Sequence, residues 1–251
     1  MRVARFSLNG EPKFGVLDGP ELVVLAGHPL VNGYETTGER VPLQEVKLLA
    51  PIIPSKVVCI GKNYADHAGE LGLALNPEPT IFFKPSSAIV GPGDPIQIPQ
   101  QSERIELEVE LTVVIGQIAK NVSEANALDY VWGFTIANDV TARDLQFSDD
   151  QWARSKAFDS FCPLGPWIET EFVPDGQILE SRIDGETKQQ ASIDLMIHDV
   201  PKIISYVSQN MTLLPGDIIL TGTPAGIAQI QRGEIIECEI EGIGTLLNPV
   251  V

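Results

Sequence analysis

Short apolar runs separated by turn signals dominate this chain, and sustained helical periodicity is rare. From the N-terminus, the runs Val3 to Leu8, Phe14 to Leu17 and Leu22 to Leu25 are punctuated by Asn9-Gly10 and Asp18-Gly19, dipeptides that close tight hairpins. Residues 1–54 therefore read as a small β-hairpin module ending in a linker, Pro51-Ile52-Ile53-Pro54. There each proline removes a backbone donor and restricts the residue before it. A second domain, 55–251, opens on a buried-looking strand at Val57 to Ile60. Further strands are predicted at Ile81 to Phe83, Leu111 to Ile115, Val131 to Ala137, Ser192 to His198, Ile218 to Thr221 and Ile235 to Ile240. Asp184-Gly185 and Pro215-Gly216-Asp217 are turn signals between them. Helical patterning is confined to a segment after Asn63, which reads as an N-cap with Asp66 in the first turn, and to Glu124–Tyr130 and Val200–Gln209. The pattern predicts a strand-rich α+β fold without the strand–helix alternation of a doubly wound parallel sheet.

One stretch breaks the alternation of apolar inside and polar outside. In Ile105 to Gly116, Glu106, Glu108 and Glu110 fall on one face of a strand, directly before the very apolar Val113-Val114-Ile115. Glutamate is depleted in strands, and like charges on one face repel. Two readings stay open: the wet face of an amphipathic antiparallel strand, or carboxylates arranged for a divalent cation. A further acid, Asp139, follows the strand Val131 to Ala137 at a point where side chains leave a rigid core. With Glu108 and Glu110 it makes an all-oxygen set suited to Mg²⁺ or Mn²⁺. The competing role for Asp139, beside Asn138, is a turn cap.

His67 and Glu70 are three residues apart in the predicted helix, hence on one face. An imidazole oriented by a carboxylate is a ready general base, and a surface histidine with an incidental neighbour is the alternative. The charge balance then sharpens the reading of the basic residues. Among 251 residues, 17 Lys and Arg face 34 Asp and Glu, a formal net charge of −17, which argues against nucleic acid and anionic membranes as partners. Three acids and one divalent ion would still leave an anionic substrate short of positive charge, which Arg143 and Lys156 are placed to supply. Arg154 reads as solvated. The loops Gly61-Lys62-Asn63-Tyr64 and Thr221 to Gly226 match no nucleotide-binding fingerprint. Thr223 offers either a hydrogen bond to substrate or a turn. Cys59, Cys162 and Cys238 read as buried thiols in a reducing compartment. With no apolar leader and no run of about eighteen apolar residues, the expectation is a soluble, cytoplasmic protein.

Several segments then line up in order. They are Ile60 to Tyr64 with His67 and Glu70, Phe83-Lys84-Pro85, Glu108-Val109-Glu110-Leu111, Asn138 to Gln146, Lys156 to Asp159, Pro163 to Pro166, and Thr221 to Pro224. From about Val57 to the C-terminus, their order and spacing resemble the fumarylacetoacetate hydrolase family. The resemblance implies a mixed β-sandwich and roll, a homodimer, and Mg²⁺ or Mn²⁺ held by Glu108, Glu110 and Asp139. It implies His67 with Glu70 as the base pair, Lys156 as a catalytic cation, and substrate contacts from Arg143, Gln146, Lys156 and Thr223. Fumarylacetoacetate hydrolases proper carry a further metal-binding aspartate shortly before the position of His67, and Val58-Cys59-Ile60-Gly61 has none. Glu106 and Ser155 also stand where relatives often have aspartate and glycine. The chain looks more like the branch of acylpyruvate hydrolases, oxaloacetate decarboxylases or tautomerases, and 2-hydroxyhepta-2,4-diene-1,7-dioate isomerases. The expected activity is metal-dependent hydrolysis of a carbon–carbon bond in an acylpyruvate, a small anionic 2-oxo acid, through a pyruvate enolate. Decarboxylation or tautomerisation of oxaloacetate, the dioate isomerisation, and a noncatalytic 2-oxo-acid-binding homologue are the alternatives.

Overall fold

The computed structural model describes all 251 residues. Its spine is a twelve-stranded sheet. Ten strands follow in spatial order: Thr36–Pro42, Glu21–Leu25, Glu11–Asp18, Arg2–Leu8, Cys162–Glu169, Val131–Asn138, Val109–Ile115, Ile218–Leu220, Val57–Gly61 and Thr80–Lys84. Lys47–Leu49 and Ile89–Val90 pair beside that path. A four-stranded sheet, Glu186–Ser192, Ile178–Ile183, Ile235–Ile240 and Gly244–Pro249, packs against it, and a three-stranded ribbon joins Thr141–Ala142, Ile105–Leu107 and Ala228–Gln229. The chain is thus a mixed, strand-rich α+β protein with a small N-terminal β-module. Leu107, Val109, Leu111, Val113 and Ile115 all lie in the main core with Ile203, Ile204 and Val207 of the helix Val200–Asn210. That helix is capped by Asp199, whose side chain accepts from Lys202 N at 2.9 Å.

The N-terminal meander turns where expected. Asn9 and Gly10 have φ of 53° and 84°, the paired left-handed conformation of a type I′ turn. The meander does not stand apart, because Arg2 and Val3 pair with Glu169 and Ile168 and continue the large sheet. The 51–54 segment has no regular structure, although Ile52 is buried.

Several local expectations fail for tertiary reasons. Ser192 to His198 is not a strand: the strand ends at Ser192, whose side chain caps a 3₁₀ turn at Ile193–Leu195. Glu124–Tyr130 is 3₁₀ rather than α-helical. Asn63 does not cap the following helix, Ala65–Glu70, which starts after Tyr64. Its amide instead ties three strands of chain together, donating to the carbonyls of His198 (2.9 Å) and Thr221 (2.7 Å) and accepting from His198 N (2.8 Å).

Candidate metal and acid–base site

The run that holds the three glutamates is two strands, not one. Ile105–Leu107 belongs to the ribbon and Val109–Ile115 to the large sheet, so the chain changes sheets at Glu108. The corner is fixed from both sides. Glu108 N donates to Asn138 Oδ1 (2.9 Å), and Glu108 O accepts from Asp139 N (2.8 Å). Asn138 ends the neighbouring strand, opposite Val109, and so Asp139 emerges beside the corner. Ligand atoms of Glu108, Glu110 and Asp139 all lie within 4.8 Å of one another, and all three residues are buried. Glu106 is buried too, which removes the wet-face reading, but it turns to Arg143 Nε (2.6 Å) and the exposed Arg104 Nε (2.6 Å) and stays outside the triad.

Three buried cations answer these acids. Lys156 Nζ donates to Glu108 Oε2 (2.8 Å) and Asp139 Oδ2 (2.6 Å). Arg143 bonds Glu106, Glu108 and Gln146. Lys84 Nζ lies 2.7 Å from Asp139 Oδ1, yet its hydrogen bonds go to the carbonyls of Val140 (3.0 Å) and Lys156 (2.8 Å). Asp139 Oδ1 is left buried without a hydrogen-bond donor. Glu110 has no cationic partner and accepts one bond, from Gly222 N (2.7 Å). Gly222 has φ of +101°, and a Cβ there would come within 2.7 Å of Asn63 Cβ, so glycine is required for this approach.

The electrostatics separate the two glutamates. Burial alone would raise both carboxyls. At Glu108 the charges of Lys156 and Arg143 outweigh it and hold the group well below the ordinary range. At Glu110, burial is joined by the charges of Asp139 and Glu108, and the carboxyl is pushed far up. Burial opposes the Lys156 ammonium, but Asp139 and Glu108 raise its pKa and keep it charged. A carboxylate oxygen that faces an ammonium but receives no hydrogen bond, a glutamate that resists ionisation, and a donor set of oxygens alone fit a hard divalent cation such as Mg²⁺ or Mn²⁺.

His67, Glu108, Glu110, Asp139, Arg143, Gln146, Lys156 and Thr223 line one narrow cleft. His67 Nδ1 lies 3.3 Å from Glu70 Oε2, and Glu70 Oε1 accepts from Gly226 N (3.2 Å). A carboxylate at that distance favours the tautomer with its proton on Nδ1, in which the Nε2 lone pair is free to accept a proton. Gln146 spends its carbonyl on Arg143, so its amide hydrogens remain to donate. Thr223 gives its proton to the Val109 carbonyl (2.9 Å) and accepts from Gln189 Nε2 (2.7 Å). Sequence reasoning overlooked the buried Gln189, the cavity wall of Leu71, Leu73 and Trp152, and Lys62. Trp152 stacks so close to Gly61 that a Cβ there would meet its ring at 2.7 Å. Of these, only a lysine between Gly61 and Asn63, inside a loop after an apolar strand, left a signal in the sequence. His28 and His198 lie elsewhere: His28 caps a short helix, and His198 is held through its backbone by Asn63.

The fumarylacetoacetate (FAA) hydrolase C-terminal family matches residues 56–251. The chain belongs to the fumarylacetoacetate hydrolase family. Residues 1–51 match a second family, described as Rv2993c-like, N-terminal. Protein Rv2993c of Mycobacterium tuberculosis is 49% identical over 262 residues, covering 100% of this chain and 98% of that protein. The mitochondrial oxaloacetate tautomerase FAHD2A of Bos taurus is 45% identical over 223 residues, covering 84% of this chain and 71% of the relative. Among solved structures, the 2-hydroxyhepta-2,4-diene-1,7-dioate isomerase of Mycobacterium marinum aligns with a TM-score of 0.93 at 46% identity, covering 100% and 98% of the two chains. The fumarylpyruvate hydrolase of Pseudomonas aeruginosa, solved with Mn²⁺ and pyruvate, aligns at 0.76 and 33% identity, covering 80% of this chain and 91% of that one. The family members similar to this chain thus include enzymes of hydrolase, isomerase and tautomerase type. No helix is long and apolar enough to cross a membrane.

Proposed function

We propose that this member of the fumarylacetoacetate hydrolase family is a divalent-metal-dependent hydrolase that cleaves the carbon–carbon bond of an acylpyruvate. One observation carries the reading: the buried oxygen triad shares its cavity with a histidine already oriented by a carboxylate and with a charged, buried lysine. Glu108, Glu110 and Asp139 would hold Mg²⁺ or Mn²⁺, which supplies Lewis-acid polarisation of the 2-oxo acid. His67 Nε2 takes a proton from water as the water attacks the C4 carbonyl, and Glu70 stabilises the imidazolium that forms. The C3–C4 bond breaks, its electron pair passes to the pyruvate half, and a proton returns to C3. Lys156, Arg143 and the Gln146 amide offset the negative charge of the substrate and of the developing oxyanion.

A second reading has its own support. The same histidine, moving a proton between C3 and the 2-oxo oxygen without attack by water, would tautomerise oxaloacetate, the activity in the name of the 45%-identical bovine relative. Loss of CO₂ from oxaloacetate draws on the same charges.

A proton NMR time course with acetylpyruvate and, separately, oxaloacetate, each with Mg²⁺ and then with excess chelator, decides between them. Hydrolysis gives metal-dependent acetate and pyruvate, decarboxylation gives pyruvate from oxaloacetate alone, and tautomerisation gives faster keto–enol exchange without cleavage. Binding of pyruvate or oxalate without turnover of any 2-oxo acid would mean a noncatalytic homologue. Within the hydrolase reading, His67→Ala loses roughly 10²–10⁴-fold in kcat. Near-normal turnover by that variant would sink the assignment of the base.

A further inference from the structure

Val109 stands between two of the carboxylates that the site turns inward, and one edge of its backbone has run out of strand. The strand Val109–Ile115 pairs with Ile218–Leu220 only from Thr112 to Val114. Thr221 N still reaches the Leu111 carbonyl (3.1 Å), and then the neighbouring chain leaves the sheet. Backbone groups of alternate residues face the same edge of a strand, so the Val109 N–H and carbonyl face the place where that neighbour is missing. Val109 is fully buried, and a buried backbone group without a partner is costly.

Two side chains stand in for the missing strand. Val109 N donates to Gln189 Oε1 (3.0 Å), Gln189 Nε2 donates to Thr223 Oγ1 (2.7 Å), and Thr223 Oγ1 donates to the Val109 carbonyl (2.9 Å). The three bonds close a ring in which each group gives a proton to the next. Chemistry fixes the orientation of the Gln189 amide, because Val109 N can only donate and the Pro224 carbonyl, 2.7 Å from Nε2, can only accept. Ser181 Oγ holds Oε1 from behind (3.0 Å). Gln189 comes from the strand Glu186–Ser192 of the four-stranded sheet, is fully buried, and does not line the cleft. On the opposite edge, Asn138 Oδ1 and Asp139 N hold Glu108. The ring completes the clamp on the segment from Glu108 to Glu110.

We propose that Gln189 is a positioning residue for the candidate metal site: through its ring with Thr223 it fixes the Val109 peptide, and with it the separation of the Glu108 and Glu110 carboxylates. The inference rests on the reading that Glu108, Glu110 and Asp139 hold a divalent ion, and it is independent of the reaction that follows. Gln189 itself touches neither ion nor substrate.

The test is calorimetric titration of the full chain with Mn²⁺ and no substrate. Gln189→Met keeps the length of the side chain and removes both polar atoms. It is expected to weaken Mn²⁺ binding by roughly 10-fold or more, the scale of groups that orient metal ligands. Should that variant fail to fold, Gln189→Asn, which keeps the amide but is one methylene too short to close the ring, reads the same loss. Thr223→Val opens the ring from the other side and weakens binding comparably, and Thr223→Ser, which keeps the hydroxyl, recovers most of it. Combining Gln189→Met with Thr223→Val should cost no more than the worse single change, because either one already opens the ring, whereas independent effects multiply. Ile240→Val, a buried apolar change in the same four-stranded sheet, is expected to lower Tm and leave Mn²⁺ affinity unchanged. Wild-type affinity in folded Gln189→Met, an equal loss in Ile240→Val, or multiplied losses in the double variant each overturn the assignment. Failure of the wild type to bind Mn²⁺ overturns the metal reading and this inference with it.

Discussion

Two groups of carboxylates around an arginine sit in different sheets of this molecule, and they do different things. On the four-stranded sheet, Arg182 reaches Glu239 (2.6 Å), Glu237 (2.9 Å) and Glu180 (3.3 Å). Register alone explains the group, because Arg182 pairs with Glu237 and Glu180 with Glu239 across neighbouring strands. All four side chains reach water. In the candidate site, Arg143 meets Glu106 and Glu108 with almost no exposure, beside Glu110 and Asp139. Similar charges in water screen one another and cost little. Buried, each must be matched in place, and Glu110 is the one that no cation matches. An acidic cluster becomes a candidate ion site through burial and mismatch, not through the number of its acids.

The largest test of this contrast removes the mismatch itself. Glu110→Gln is expected to lower Mn²⁺ affinity by more than the roughly 10–100-fold typical of residues that only orient ligands, with a parallel loss of turnover. The same change should raise the stability of the ion-free protein, since it deletes a carboxyl that folding buries against its tendency to ionise. Calorimetric titration with Mn²⁺ and melts in chelator read both, and wild-type Mn²⁺ affinity in the variant would break the comparison. Next, Arg143→Met takes one of two cationic partners from each of two buried carboxylates, leaving Glu106 to Arg104 and Glu108 to Lys156, and should cost about 3 kcal/mol, a fall in Tm on the order of 10 °C, seen by calorimetry.

Asp217 lies between the two cases. Its buried carboxylate takes Ser55 Oγ (2.6 Å), Leu214 N (2.7 Å) and the Lys56 ammonium. Burial would raise its pKa, but Lys56, Ser55 and Leu214 N together lower it. The unfolded chain therefore takes up the proton first as pH falls. The stability this group contributes is fully present above its ordinary value of about 3.9 and is lost as pH drops through the lower folded value. Asp217→Asn should cost about 1–3 kcal/mol at pH 7 and progressively less below pH 4, measured by urea unfolding. The smallest effect belongs to the partly exposed ladder, where Arg182→Met should cost about 1 kcal/mol and turnover should be untouched. A loss equal to that of Arg143→Met would erase the distinction between the two groups.

How much of this was legible depended on how local the cause was. The turns at Asn9-Gly10 and Asp18-Gly19 and the strand Ile235–Ile240 follow from neighbours in sequence. The 3₁₀ turn at Ile193–Leu195 did not, because its apolar residues read like a strand until Ser192 caps them. Asn63 looked like a cap and proved to be a clamp, since its partners are 135 and 158 residues away. In the site, the unusual residues Glu108, Glu110, Asp139, His67 and Lys156 stood out against apolar surroundings. Gln189, which positions Val109 and Thr223 from another sheet, had nothing in its own segment to mark it.

By itself the sequence determined the strand-rich class, the places where charge interrupts apolar runs, and the oxygen chemistry those interruptions allow, because side-chain alternation and donor type are local properties. Only the tertiary structure decided that Glu106 leaves the triad for Arg143 and that Glu110 stays without a cation. It also brought Lys62 to the wall of the same cleft, where its ammonium reaches only the Ala74 carbonyl. Each of these depends on the change of sheets at Glu108 and on burial, where the low dielectric makes the position of every partner count.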